Sequence, residues 1–322
     1  MVSRPRERTE LCARMRKALI VFLLLIFSFF PAMLRAEGLS VVTTLFPLKE
    51  FAQSVGGERV KVRLLLPPGA EPHTWEPKPS DIVRLSHADV FIYIGAEMEP
   101  RAHSIVKSSD NATLQIIEVS RGIPLIRVDE AHHHAAHGDK EELTHGAVDP
   151  HIWLDFEYSQ AIVDKIEHAL GKKDPEWAEY YRKNADDYKE KLKNLDLKYK
   201  EVLSNCECRE FILGSHAAFA YMARRYGLKQ ISLYRVSPNS EPTPKKMVEV
   251  IRMAKKHRVK AIYFEELLSD KLARTIAREV GAETLVLNPG ANLTKAEIES
   301  EITFLSLMEK NLENLKYGLN CE

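Results

Sequence analysis

Five histidines, His132, His133, His134, His137 and His145, crowd into a polar tract that runs into Val148-Asp149-Pro150-His151-Ile152-Trp153. Imidazole is the commonest protein ligand for zinc-like ions, so the tract reads as a metal-handling segment beside a motif that can serve as a site. Taken alone, a short His-rich stretch is compositional and lacks geometry, and a solvated or tag-like loop is its bland alternative. Three histidines in distinctive settings add the geometry. His73 lies in Pro67-Pro68-Gly69-Ala70-Glu71-Pro72-His73-Thr74-Trp75-Glu76-Pro77, a proline-pinned loop directly after a strand-like run ending at Leu66. His151 follows Asp149-Pro150 and opens a helical pattern, and His216 comes directly after the strand-like Phe211-Ile212-Leu213, in Gly214-Ser215-His216-Ala217-Ala218-Phe219. Loops at the carboxyl ends of strands are where α/β sheets collect ligands, and two of these histidines sit there. Any one of them alone reads as a structural histidine. Three of them, in an exported chain with a histidine tract, point to a metal site assembled from several loops.

The chain that must position them begins with Arg4, Arg6, Arg8, Arg14, Arg16 and Lys17, then an uncharged apolar run from Ala18 to Leu34, then Arg35-Ala36-Glu37. A positive region, an apolar stretch and a small residue before polar sequence read as a secretory signal peptide over residues 1–36, cut after Ala36. The alternative is an uncleaved anchor, but the run falls short of the ~20 residues of a spanning helix and contains Pro31. Met15-Arg16-Lys17 would open a more ordinary signal sequence. No cysteine ends the apolar run, which argues against lipid attachment in the bacterial lipoprotein manner; Cys12 precedes it. Removing residues 1–36 takes away seven of the 46 Lys/Arg and two of the 46 Asp/Glu. The remainder carries about five net negative charges and no basic footprint for nucleic acid. Its length suits two domains of ordinary size. Three cysteines remain, Cys206, Cys208 and Cys321; one pair can bridge in an oxidising compartment, with Cys321 preferred as partner of one of the other two. Cys206-Glu207-Cys208 is also a two-ligand metal clip on paper, a weak signal.

From Leu39 onward short β-branched runs alternate with helical patterns, as a parallel α/β sheet requires. Residues 40–45, 60–66, 89–94 and 114–118 read as strands, with helices near 47–55 and 79–87. The second half repeats the scheme with strands at 210–213, 230–233, 260–264 and 284–287 and helices at 217–226, 244–256, 270–280 and 295–317. Between the halves, 174–203 is dense in Lys, Glu, Leu and Tyr, has no glycine, and has only Pro175, just after Asp174, which is N-cap and first-turn chemistry for a long helix. At 1.5 Å per residue it would reach roughly 45 Å. Sustained a/d heptads are not obvious, so a rigid interdomain connector is preferred to a surface coiled coil. The expected fold is α/β, with two lobes, each a mainly parallel sheet flanked by helices, joined by one long rigid helix beside a cleft of limited hinge motion. The divisions are signal peptide 1–36, N-terminal lobe 37–173 with a His-rich loop at 130–147, connecting helix 174–204 and C-terminal lobe 205–322.

Further fragments accompany the histidines: Val41-Val42-Thr43-Thr44-Leu45-Phe46-Pro47-Leu48, Pro77-Lys78-Pro79-Ser80-Asp81-Ile82, Ser215-His216-Ala217-Ala218-Phe219-Ala220-Tyr221, Ser237-Pro238-Asn239-Ser240-Glu241-Pro242-Thr243-Pro244 and Phe264-Glu265-Glu266. Together with Pro72-His73 and Asp149-Pro150-His151-Ile152-Trp153 they make the chain resemble the metal-binding solute receptors of ABC transporters that import zinc or manganese. The resemblance covers nearly everything after the signal segment. It implies one metal in the cleft, held by His73 and His151 from the first lobe and His216 from the second. It also implies zinc, because zinc receptors place a histidine at the third position and a histidine-rich loop before the second ligand, whereas manganese receptors often have a carboxylate at the third. Some manganese-binding relatives keep three histidines. Neutral imidazoles suit Zn2+ better than the harder Mn2+. Relatives commonly show an aspartate where this chain has Asn288, and an amide oxygen brings no charge. Three histidines plus water are therefore expected, with Glu71, Glu265 or Asn288 as lesser candidates for the fourth position, and Asp149 or Glu265 orienting the ligands.

The implied function is extracytoplasmic, high-affinity zinc binding with delivery of the ion to an ABC import permease in the membrane. No Gly-x-x-x-x-Gly-Lys-Ser/Thr loop is present, so ATP is used by a separate ATPase. The chain is expected to be a monomer, not an enzyme, without nucleic-acid partners, and exported to the periplasm or the extracellular face of the cytoplasmic membrane. Alternatives are a manganese or mixed-metal receptor of the same family, a zinc hydrolase, since three histidines plus water are also a catalytic shell, and a surface adhesin of the same fold. Against the hydrolase, there is no His-Glu-x-x-His, and ligands from two lobes suit capture and release. His87, His103, His168 and His257 fall on helical segments or their ends and read as surface residues. The His132–His145 tract reads as a mobile loop that collects or senses zinc more weakly than the cleft.

Overall fold

The computed structural model describes residues 38–127, 148–234, 236 and 242–322; the signal segment, the His-rich tract and residues 237–241 lie outside them. The first lobe is built on four parallel strands, β1 (Leu39–Thr43), β2 (Val60–Leu64), β3 (Val90–Tyr93) and β4 (Gln115–Glu118), in the order β2-β1-β3-β4. The second repeats the plan with β5 (Glu210–Leu213), β6 (Lys229–Ser232), β7 (Ala261–Phe264) and β8 (Glu283–Val286), in the order β6-β5-β7-β8. Central strands covered on both faces have no polar side, which is why β3 reads Val-Phe-Ile-Tyr, all buried, without alternation. In each sheet the chain reverses direction of winding beside its second strand in space, and that switch point opens a crevice at the strands' carboxyl ends.

Helices α1 (Phe46–Gly56), α2 (Pro79–Ser86) and α3 (Ala102–Ser108) serve the first sheet, followed by α4 (Phe156–Lys173) and the long α5 (Ala178–Ser204). The second sheet carries α6 (Ala220–Tyr226), α7 (Pro244–His257), α8 (Lys271–Val280), α9 (Lys295–Glu299) and α10 (Phe304–Gly318). Their starts have local chemical causes. Asp155 accepts from Glu157 N at 3.0 Å to cap α4, and Thr243 accepts from Lys246 N at 3.2 Å to cap α7, with Pro244 in the first turn.

Helix α5, 27 residues and so about 40 Å long, packs on α4 and α1 of the first lobe and on α10 of the second. Among its buried residues, Tyr181, Ala185, Tyr188, Leu192, Leu195 and Tyr199 recur at alternating steps of four and three, a heptad stripe that is inconspicuous in the sequence because four of the six are tyrosine or alanine. Asp174 is not its cap: Pro175–Trp177 form a 3-10 turn, and the Asp174 carboxylate accepts from Tyr181 Oη at 2.9 Å. Two other expectations are corrected. The single helix at 295–317 is two, because Glu301 adopts φ 51° and Thr303 caps α10 by accepting from Ser306 N at 3.1 Å. The helix expected from Ala217 starts only at Ala220. Helix α3 is an addition to the helices expected from the sequence pattern.

Cys206 is disulfide-bonded to Cys321, tying the end of α5 to the chain terminus, and Cys208 is free; that bond consumes the Cys206-Glu207-Cys208 clip. One hydrophobic core runs through both lobes, with Phe304 at the crossing, its ring 5.3 Å from Phe51 and 6.4 Å from Phe156. A separate smaller core, including Ile212, Val250, Ile262 and Ile276, lies under α7 and α8. Among the described residues no helix is long and apolar enough to cross a membrane.

Candidate metal centre

His73 sits on the 3-10 turn Pro72–Thr74, beyond the end of β2, where Glu71 Oε1 accepts from His73 N at 3.2 Å. The loop before it is pinned by the opposite lobe. Asn292 donates through Nδ2 to Pro67 O at 2.7 Å and Ala70 O at 2.9 Å, and Gly69 N donates to Leu293 O at 2.9 Å. His151, buried, follows Asp149, whose Oδ1 accepts from His151 N at 2.9 Å and lies 2.8 Å from His151 Nδ1. One carboxylate oxygen thus fixes both the backbone and the ring, leaving Nε2 to face the cleft. His216 and Glu265 leave the carboxyl ends of β5 and β7, neighbours at the second sheet's switch point, and His216 Nδ1 lies 2.7 Å from Glu265 Oε1, though off the N–H axis. Gly214 makes that corner possible: a Cβ there would stand 2.5 Å from the Ala273 Cβ on α8.

The three Nε2 atoms converge. His73 Nε2 is 3.4 Å and His216 Nε2 3.2 Å from His151 Nε2, and the three ligand atoms lie within 4.8 Å of one another. A tetrahedral zinc with Zn–N bonds of 2.0–2.1 Å needs ligand nitrogens about 3.3 Å apart. With carboxylates beside Nδ1 of His151 and His216, the lone pairs on their Nε2 atoms face each other, an arrangement that a cation between them relieves. Burial, reinforced by the neighbouring His151 and His216, pushes His73 down to about 2, and burial with the His216 charge pushes His151 well below the usual imidazole range. His216 moves the other way: burial works against its charged form, but Glu265 outweighs it and raises the pKa. Burial raises Asp149 to about 7 and also raises Glu71.

All three candidates for the fourth position line the same small cavity as His73, His151 and His216. Asn288 is fully engaged elsewhere: Oδ1 accepts from Gly290 N at 2.8 Å, and Nδ2 donates to Glu266 and Glu297, each at 3.2 Å. Glu265 faces His216, and Glu71 holds the turn carrying His73. Sequence reasoning missed Tyr221, whose hydroxyl reaches Asp149 O at 2.7 Å, and Pro289, whose carbonyl accepts from Trp153 Nε1 at 2.7 Å; both contacts join residues distant in sequence and leave no local signal. His87, His103 and His168 are exposed, as expected, whereas His257 is half-buried and pairs with Glu210.

Two parallel α/β lobes spanned by one helix, with three imidazoles converging in the cleft, define a metal-binding solute receptor. The family profile described as zinc-uptake complex component A, periplasmic (ZnuA), matches residues 41–318, and the chain belongs to that family. It is 39% identical over 285 residues to the high-affinity zinc uptake system protein ZnuA of Bacillus subtilis, covering 88% of this chain and 89% of the relative. It is 37% identical over 319 residues to the zinc-binding protein AdcA of Streptococcus pyogenes, covering 94% of this chain but 61% of that longer protein. The crystal structure of the Zn(II)-bound ZnuA-like domain of Streptococcus pneumoniae AdcA superposes with a TM-score of 0.73 at 34% identity, over 88% of this chain and 99% of that one. The laminin-binding protein Lmb of Streptococcus agalactiae, described as bifunctional with adhesin and metal transporting activity, superposes with a TM-score of 0.76 at 28% identity, over 88% of this chain and all of that one.

Proposed function

We propose that this chain captures Zn2+ through Nε2 of His73, His151 and His216 and delivers it to a membrane permease driven by a separate ATPase, acting outside the cytoplasm as a binding component rather than an enzyme. The observation that carries the reading is the spacing of the Nε2 atoms, 3.2 and 3.4 Å, which are edge lengths of a tetrahedral zinc shell. Two imidazoles held neutral by burial are ready to bind without losing a proton. Water or Glu71 completes the shell, because Asn288 and Glu265 are committed to other partners. The donor set is nitrogen-rich, which favours zinc over manganese. Asn292 and Leu293 of the second lobe hold the first-lobe loop carrying His73, so release requires those contacts to loosen together.

Calorimetric zinc titration of the full chain tests the assignment. Roughly 10–16 kcal/mol of zinc affinity shared among about four ligands is about 3 kcal/mol each, so His151→Ala, His73→Ala and His216→Ala should each weaken the tight site on the order of a hundredfold. A zinc-bound crystal structure should show three Zn–N distances of about 2.0–2.1 Å. Unchanged tight binding by His151→Ala in a chain lacking the 132–145 tract would overturn the three-histidine shell.

A further inference from the structure

Helix α6 starts four residues after His216 and grips both ends of segment 149–155, which carries His151. At one end Tyr221, fully buried, donates its hydroxyl to Asp149 O at 2.7 Å and accepts from Ile126 N at 3.0 Å. Asp149 is the residue whose carboxylate fixes the His151 ring. At the other end Arg225, its side chain 12% exposed, reaches Asp155 Oδ1 at 2.9 Å through Nη1, while Nε and Nη2 take the two oxygens of Asp196 on α5 at 2.6 and 2.7 Å. Asp155 caps α4, so this guanidinium joins the second-lobe helix to the start of a first-lobe helix and to the long connector at once. Tyr226 adds its hydroxyl to Asp196 at 2.8 Å. A planar, bidentate guanidinium imposes direction as well as charge, which an ammonium cannot reproduce.

From these contacts we infer that α6 is a clip setting the spacing between the His151 and His216 imidazoles across the lobes, with Tyr221 and Arg225 as positioning residues for the metal. Neither touches the ion. The inference rests on the three-histidine reading above. Tyr221 holds the backbone of the His151 segment at Asp149, and Arg225 holds the segment's Asp155 carboxylate, both from the helix that continues from His216, so losing either grip lets the 3.2 Å Nε2 separation relax. Zinc affinity is sensitive to groups that orient its ligands, and their loss commonly costs about ten- to a hundredfold.

The test uses the full chain with Tyr221→Phe, which removes one oxygen and keeps the ring, and Arg225→Lys, which keeps the charge and loses the fork. Tyr181→Phe is the control, since it deletes a comparable hydroxyl bond, to Asp174 at 2.9 Å, from a buried tyrosine on α5. Zinc affinity is measured by competition with a chromophoric chelator, and ligand geometry by the visible spectrum of the Co2+-saturated protein. Tyr221→Phe and Arg225→Lys should each bind zinc about tenfold more weakly, with a changed cobalt band at saturation; Tyr181→Phe should lower the melting temperature alone. Wild-type affinity and cobalt spectrum in both α6 variants overturns the inference. So does a loss of affinity matched by Tyr181→Phe with an unchanged cobalt band, the mark of general destabilisation. If Tyr221→Phe fails to fold, Arg225→Lys decides. Should wild type bind no zinc, or His216→Ala bind it as tightly as wild type, the three-histidine reading itself fails, and the two failures stay distinguishable.

Discussion

Zinc competes with protons for the same nitrogens, and the surroundings of each imidazole decide how many protons it meets. His73 and His151 are neutral at pH 7, held there mainly by burial. His216 alone has its pKa raised, by Glu265 against the effect of burial. Its protonated form therefore persists to higher pH than theirs, and His216 is the imidazole at which zinc competes most with a proton. Affinity should be flat above the pKa of His216 and fall by up to about tenfold per pH unit below it. Calorimetry in buffers of different ionisation enthalpy, from pH 7.5 to 5.5, should count a proton release per zinc that grows toward one as the pH falls. Three protons, or affinity flat across the range, would contradict this picture of the site. Asn288 shows where residue identity stopped informing: its amide is chemically able to face a metal, and only the positions of Gly290, Glu266 and Glu297 show it facing them instead.

At the scale of elements, the strands were legible within a residue or two because fully buried parallel strands have unbroken apolar runs. The helix boundaries were less so. Thr303 and Ser306 form a capping pair that competes with helix continuation, and the resulting break between α9 and α10 looks like ordinary helical sequence. The Cys206–Cys321 bond makes a separate prediction. Its partners are 115 residues apart, and by the chain-entropy account a loop of about 100 residues contributes about 4.7 kcal/mol through the unfolded state. Replacing both cysteines by serine should lower the unfolding free energy in denaturant titration by roughly that amount. A loss below about 1 kcal/mol would mean that the unfolded chain is already compact enough for the cross-link to restrict it little.

For the whole molecule, the lobes are joined by a shared core around Phe304, by α5 and by backbone bonds such as Phe46 N to Ala291 O at 3.0 Å. Such connections disfavour a wide hinge opening between the lobes. The flanks of the His-rich tract are fixed independently of it: Arg127 pairs with Val148 in an antiparallel bridge, Asp149 N donates to Ile126 O at 2.8 Å, and Tyr221 holds both sides. Deleting residues 132–145 should therefore remove weak additional sites from a zinc titration and preserve the single tight one. Loss of the tight site in a deletion variant with a native circular dichroism spectrum would place the tract in the primary shell.

Composition, periodicity and the placement of His73, His151 and His216 after strands or motifs were enough to read two parallel α/β lobes, a long connecting helix and three candidate ligands. Those features depend on local pattern: apolar runs, capping residues and loops beside strand ends. The rest depends on residues far apart in the chain. The pairing of Cys206 rather than Cys208, the turning away of Asn288, the raising of His216 by Glu265 and the grip of Tyr221 and Arg225 on the His151 segment all arise from side chains meeting across separate elements. Such meetings leave no periodic trace in sequence, because a hydrogen bond or a charge pair is satisfied by geometry in three dimensions and not by spacing along the chain.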